Sequence, residues 1–151
     1  MKIFTYDHNG GKEAINKKIQ TEVSDAILSF NSTKQKVTSK TIRDHIIKIL
    51  KSKGWPSSFQ ISSSSDISVT TLKNQIGLCL QTGNMARMYA DLLKLQTLYL
   101  DNIIKAAFLI LPSHPLALKL GSNIAQSNRL INELQIFKKT IFVPLIVYSL
   151  E

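Results

Sequence analysis

Residues 69–84 read V-T-T-L-K-N-Q-I-G-L-C-L-Q-T-G-N. The stretch reads as two β-strands around a Lys73-Asn74 turn, with the second strand feeding directly into a helix. Gly83 breaks the chain and Asn84 is suited to cap that helix. Met85 to Leu100 is the strongest helical pattern in the sequence, with Met85, Met88, Tyr89, Leu92, Leu93 and Tyr99 as its expected buried stripe. Methionines at helical spacing are core residues before they are ligands. After a short Asp101-Asn102 connection, Lys105 to Leu111 is continuously apolar beyond the lysine, as a strand covered on both faces would be. Strand, helix and strand in this order imply a right-handed crossover that lays Ile76–Gln81 parallel to Lys105–Leu111.

Outward from this unit the pattern stays mixed. Residues 1–10 suggest a strand ending at Gly10-Gly11. From Lys12 to Phe30 the apolar residues Ala14, Ile15, Ile19, Val23, Ala26, Ile27 and Phe30 recur every three or four positions and predict one helix. Ser39 is the expected N-cap of a second helix, Lys40 to Lys53, with Ile42, Ile46, Ile49 and Leu50 inward and Gly54 at its end. Ser57–Ile61 reads as a strand, and the serine run after it as a loop without a nearby base. Asn123–Phe137 predicts a last helix, with Ile124, Leu130, Ile131 and Leu134 inward. Ile141–Tyr148 predicts a last strand, where Pro144 calls for an edge position or a bulge. The expected fold class is α/β, a small mixed sheet with helices on both faces, in one domain spanning residues 1–151.

Composition narrows the function classes. With 44% hydrophobic and 19% charged residues the chain is globular and not disordered. No apolar run approaches the roughly 20 residues of a membrane helix, so no membrane partner is expected. The opening M-K-I-F-T-Y-D-H-N-G has no signal-like apolar segment, which with a single cysteine points to the cytoplasm. A net charge of +9 favours a polyanionic partner: nucleic acid first, then an acidic protein. Lysines cluster at Lys34, Lys36, Lys40, Lys48, Lys51 and Lys53.

Several strings in order then resemble one family. They are G-W at 54–55, L-K-N-Q-I-G-L-C-L-Q-T-G-N-M-A-R-M-Y-A-D-L-L-K-L-Q from Leu72, F-L-I-L-P from Phe108, G-S-N-I-A from Gly121, N-E-L from Asn132, and F-V-P-L-I-V from Phe142. Together these are similar to type II restriction endonucleases of the BglII and BamHI group, of PD-(D/E)xK nuclease fold, over roughly residues 40–151. The resemblance implies a restriction-endonuclease-like mixed sheet, Mg²⁺-dependent hydrolysis of DNA, and a homodimer. In such enzymes an Asp, a Glu nine positions on and a further group two beyond it hold the metal and aim at one phosphate. Hard anionic oxygens are needed there to bind Mg²⁺ and lower the pKa of its water.

Laid on this chain, those positions fall on Thr70, Cys79 and Gln81. Only Gln81 matches a family choice, and the acid usual at the start of the central strand corresponds to Lys105. A hydroxyl, a thiol and an amide are a poor cage for Mg²⁺. Asp66 is a candidate relocated ligand, though strand rise puts it about 13 Å from Thr70; Asp91, Glu22 and Asp25 are further alternatives. The plainer readings are a solvated loop carboxylate at Asp66, a helix-surface charge at Asp91 and an inert buried thiol at Cys79. His8, His45 and His114 show no metal spacing. The expected DNA contacts are Lys40, Arg43, Lys73, Arg87, Lys94 and Lys105, which promise salt-dependent binding of low sequence specificity. The resulting expectation is a catalytically degenerate relative that binds DNA or protein and needs no cofactor. The alternatives are an active Mg²⁺ endonuclease with a relocated acid, and an immunity or inhibitor protein on a dead nuclease scaffold.

Overall fold

The computed structural model describes residues 1–151. Seven strands and six helices run in the order β1 (Ile3–His8), α1 (Gly11–Ala14), α2 (Lys17–Leu28), α3 (Ser39–Ser52), β2 (Phe59–Gln60), β3 (Ser68–Val69), β4 (Thr71–Lys73), β5 (Ile76–Leu80), α4 (Met85–Leu100), β6 (Ala106–Pro112), α5 (His114–Leu120), α6 (Ser127–Ile136) and β7 (Leu145–Leu150). Five strands form one mixed sheet in the order β1-β7-β6-β5-β4, and β2 and β3 form a separate two-stranded ribbon. The central trio is parallel and the outer two strands are antiparallel to their neighbours.

The expected parallel crossover is present, with Ile76 opposite Ala106 and Leu80 opposite Ile110. Strand β6 is buried along its whole length, and its side chains alternate between two cores. Ala106, Phe108 and Ile110 face α2, α3 and α5. Ala107, Leu109 and Leu111 face α4 and α6. Gly77 lets α4 sit close to β5: a Cβ there would lie 3.0 Å from Leu95 and 3.1 Å from Ile104. That close approach brings the side chains at the far end of β5 within reach of α4.

The hairpin turn lies one residue later than expected. Asn74 and Gln75 both have positive φ, 51° and 61°, and Lys73 pairs with Ile76. Such a two-residue turn matches the right-handed twist of the strands it joins. The first arm is also broken, because Thr70 separates β3, which pairs with β2, from β4, which pairs with β5. At the break, the Thr70 hydroxyl accepts a hydrogen bond from the Leu80 N–H at 3.0 Å.

Other departures have local causes. The helix expected over 12–30 is two: buried Ile15 is extended, and Asn16 restarts the helix by accepting from the Ile19 N–H at 2.9 Å. Helix α3 is capped by Thr38 in a capping box with Thr41, not by Ser39. Ser39 instead donates to the Thr82 carbonyl at 2.6 Å, and the Thr82 hydroxyl donates back to the Ser39 carbonyl at 3.2 Å. The last strand begins at Leu145 and lies inside the sheet; Pro144 stands at its entry, where its carbonyl accepts from the Ala107 N–H. The final helix starts at Ser127, because Asn123 turns with a positive φ of 55° and Ile124 then bridges to Asn84, the Asn123 carbonyl accepting from the Met85 N–H and the Ala125 N–H donating to the Gly83 carbonyl. Leu93 is 61% exposed, whereas Asp91, Leu95, Gln96 and Leu98 are buried. No helix is long and apolar enough to cross a membrane.

Candidate nucleic-acid interface

A cleft of about 300 Å³ opens where β5 ends, between α3, the β3–β4 break and the first half of α4. Its walls carry the side chains of Arg43, Ser58, Ser68, Thr70, Gln81, Arg87, Asp91 and Lys94 among others. A second hollow shares Arg43, Ser58 and Thr70 with it and continues past Ile47, Pro56 and Ser57 to Lys51. The two make one groove along the inner side of α3. The Ser39–Thr82 tie holds the start of α3 against the end of β5. One turn later the Arg43 guanidinium donates to the Leu80 carbonyl at 2.6 Å.

Three of the four site positions read from the sequence meet here. The Thr70 and Gln81 side chains line the cleft, and Cys79 lies directly beneath, opposite Thr70 in the hairpin and 1% exposed. Its thiol is pushed far above the usual cysteine range, first by burial and then by the Asp91 charge, against weaker help from the Thr70 N–H, Lys94 and Arg43. A fully buried thiol held protonated in this way is a poor nucleophile. The Gln81 amide is held at both ends: its Nε2 donates to Asp91 Oδ2 at 2.9 Å and its Oε1 accepts from the Gly83 N–H at 3.0 Å. The other Asp91 oxygen accepts from the Lys94 ammonium at 2.8 Å.

Asp91 is therefore not a helix-surface charge. It is 6% exposed and points from α4 into the cleft. The signal was available in the sequence: Asp91 stands three residues after Met88 and four before Leu95, on the inward side of the helix. Asp66, by contrast, is exposed on the loop between β2 and β3 and does not line the cleft. Glu22 is committed elsewhere, accepting from Lys73 at 2.8 Å and from Trp55 at 3.0 Å. Burial alone would raise the pKa of Glu22, but these two bonds and the Lys73 charge outweigh it and bring it below the usual range.

The six basic positions divide evenly. Arg43, Arg87 and Lys94 line the cleft. Lys40 is exposed and paired with Asp44 one turn along α3. Lys73 is bound to Glu22 and to the Lys53 carbonyl, away from the cleft. Lys105 lies beside Gln75 at the opposite end of the sheet, about 20 Å of strand from Gln81.

The donor set does not fit a hard divalent cation. Mg²⁺ takes six oxygens in near-octahedral geometry. Besides the neutral hydroxyls of Ser58, Ser68 and Thr70, the cleft offers one carboxylate, Asp91, already paired with an ammonium, and one amide oxygen, Gln81 Oε1, already accepting a backbone N–H. Nowhere do three or more His, Cys, Asp or Glu side chains converge as metal ligands.

Comparison with known proteins accounts for this architecture. Restriction endonuclease BglII complexed with a DNA 16-mer superposes with a TM-score of 0.86 at 18% identity, over 100% of this chain and 78% of that one. Free BglII superposes with a TM-score of 0.71 at 18% identity, over 100% of this chain and 80% of that one. No curated protein matches the chain by sequence. The sequence profile described as restriction endonuclease BglII/BglIII matches residues 3–150. With the profile spanning nearly every residue and the sheet, crossover and cleft in the corresponding fold, the chain belongs to the BglII/BglIII restriction endonuclease family.

Proposed function

We propose that this protein is a DNA-binding member of its family that has lost phosphodiester cleavage. The observation that carries the reading is the closed set Gln81–Asp91–Lys94 beside Thr70 and Cys79. The positions that hold a metal in the family present no free anionic oxygen, while the cleft keeps three cationic side chains against a single carboxylate. A phosphate backbone entering past Arg87 and Lys94, along Arg43 and out past Lys51, would meet positive charge throughout. Contacts of this kind bind without reading sequence, with Kd of about 10⁻⁴ to 10⁻⁶ M at physiological salt. Few loops are available to enter a groove and read base edges, so low specificity is expected.

The family's homodimeric habit has a suitable surface here. Ala86, Ala90, Leu93, Thr97 and Leu100 are exposed along one face of α4, next to the cleft that Ala90 also lines, at alternating spacings of four and three, the seam of paired helices. Sedimentation of wild type and Leu93→Glu tests this, with a dimer expected only for the first.

The deciding experiment pairs a low-salt DNA-binding titration with a plasmid-cleavage assay in Mg²⁺ and in Mn²⁺. Binding without cleavage is the expected result. The alternative of an active enzyme with a relocated acid has one feature in its favour, the Asp91 carboxylate inside the cleft. Metal-dependent cleavage abolished by Asp91→Asn or Asp66→Ala would establish that alternative and overturn the proposal. Absence of any mobility shift, with capture of an acidic protein instead, would favour the immunity or inhibitor role.

A further inference from the structure

We infer that the cleft supplies its own countercharge and holds DNA without a divalent cation, Lys94 taking the place that a metal has in a carboxylate-lined nuclease site. The inference rests on reading the cleft as a DNA site, and extends that reading to how the phosphates are neutralised.

A cleft built of carboxylates repels a phosphodiester until a cation screens it, so DNA binding and metal binding strengthen each other. The charges here are arranged differently. Asp91 has a side chain only 8% exposed, and each of its oxygens has a donor, the Gln81 amide on one and the Lys94 ammonium on the other. Lys94 is three residues along the same helix, so its reach to Asp91 needs no rearrangement of the fold. A divalent cation seeking Asp91 would have to displace that ammonium in a nearly closed position. It would then stand in a wall that also holds Arg43 and Arg87. Both the displacement and the like-charge repulsion are unfavourable. Without metal, the pair is neutral and the arginines set the sign of the cleft. Added Mg²⁺ is then only a competing counterion on the DNA, and weakens binding instead of promoting it.

The two key substitutions act in opposite directions. Lys94→Gln leaves Asp91 charged and exposes one of its oxygens, making the cleft less positive and opening a position for a cation. Asp91→Asn frees the Lys94 ammonium for a phosphate, which steepens the salt dependence by about one contact, or roughly 0.9 in the slope of log K against log salt.

The test is fluorescence anisotropy of a labelled duplex titrated with the full chain in EDTA and in millimolar MgCl₂ at matched ionic strength. For wild type, affinity in Mg²⁺ equal to that in EDTA, or a few-fold weaker, supports the inference. Strengthening by Mg²⁺ of about twofold or more overturns it. The wild-type comparison requires no variant to fold. Lys94→Gln, checked for native circular dichroism, is expected to bind more weakly than wild type in EDTA and to recover part of the loss in Mg²⁺. A variant that behaves as wild type in both buffers shows that the Asp91–Lys94 pair does not set the cation response, and overturns the inference too. DNA binding with the wrong Mg²⁺ response refutes this inference alone, whereas no binding in either buffer refutes the DNA-binding function with it.

Discussion

Glu22, Trp55 and Lys73 form the most informative place to perturb the fold. Glu22 on α2 accepts two hydrogen bonds on one carboxylate oxygen, from Lys73 Nζ at 2.8 Å and from Trp55 Nε1 at 3.0 Å. Lys73 donates also to the Lys53 carbonyl at 2.7 Å, and its ammonium lies 5.7 Å from the Trp55 ring centre. The node thus fastens the hairpin that carries Thr70 to α2 and to the end of α3. Glu22→Ala would leave the N–H of Trp55, a residue 2% exposed, without a partner and Lys73 without a countercharge. The Glu22 and Lys73 side chains are 13% and 19% exposed, so the pair stands between a surface salt bridge and a fully buried one. Hydrogen bonds to charged groups contribute about 1.5–3 kcal/mol each, and an orphaned buried donor costs about 1–3. After discounting for residual solvent, the expected loss for Glu22→Ala is about 2–3 kcal/mol, or about 4–12 °C in Tm for a chain of this size. Glu22→Gln keeps an acceptor for Trp55 and is expected to lose about half as much.

The single tryptophan makes the assay direct, since denaturant unfolding followed by fluorescence reports on the node itself. The folded-state pKa of Glu22 lies below its unfolded value. Its contribution is therefore complete above the usual carboxylate range and is lost as the pH falls through the folded-state value. Glu22→Gln should remove that part of the acid sensitivity. A Glu22→Ala variant within about 0.5 kcal/mol of wild type, the range of ordinary surface substitutions, would refute the reasoning.

Further outcomes can be measured independently. If Arg43, Arg87 and Lys51 reach phosphates, log K for a DNA duplex should fall with log salt at a slope of about −3. Arg87→Ala should flatten that slope by about one, and Lys105→Ala, at the far end of the sheet, should leave it unchanged. Cys79 should be inert to thiol reagents in the native protein at mildly alkaline pH and react once per chain in denaturant, because burial keeps the thiol protonated. Rapid labelling of the native state would show that the hairpin opens. Gln75→Gly should stabilise the fold by about 0.5 kcal/mol in chemical denaturation, because the left-handed conformation costs a non-glycine residue more than glycine's added chain entropy.

The centre of this molecule was legible in the sequence because its signals are local. The continuous apolar run of β6, the cap at Asn84 and the bounds of α4 come from residues a few positions apart, and so does the parallel crossover that they imply. The same holds for the missing acids: Thr70, Cys79 and Gln81 are read directly, and Thr70 and Gln81 do line one cleft. The apolar pattern misleads where a local cap or a neighbour across space overrides it. The break at Ile15-Asn16 interrupts a perfect helical stripe because Asn16 caps a new start. Leu93 was expected inward because α4 carries apolar residues almost all round, and only the direction of the sheet selects which of them are buried.

The site divides along the same line. Sequence alone showed a hydroxyl, a thiol and an amide at the positions that the family resemblance assigns to metal binding, a basic chain, and a β5–α4–β6 unit at its core. Only the tertiary structure decided which charges face the cleft. It brought in Asp91, ten residues beyond Gln81, and closed it with Lys94; it turned Lys73 away to Glu22 and left Lys105 at the opposite end of the sheet. Residue identity and spacing are written along the chain. The pairing of a carboxylate with one cation and not another depends on helix rotation, strand register and a glycine close enough to let α4 settle onto β5, and those are settled only when the two cores pack.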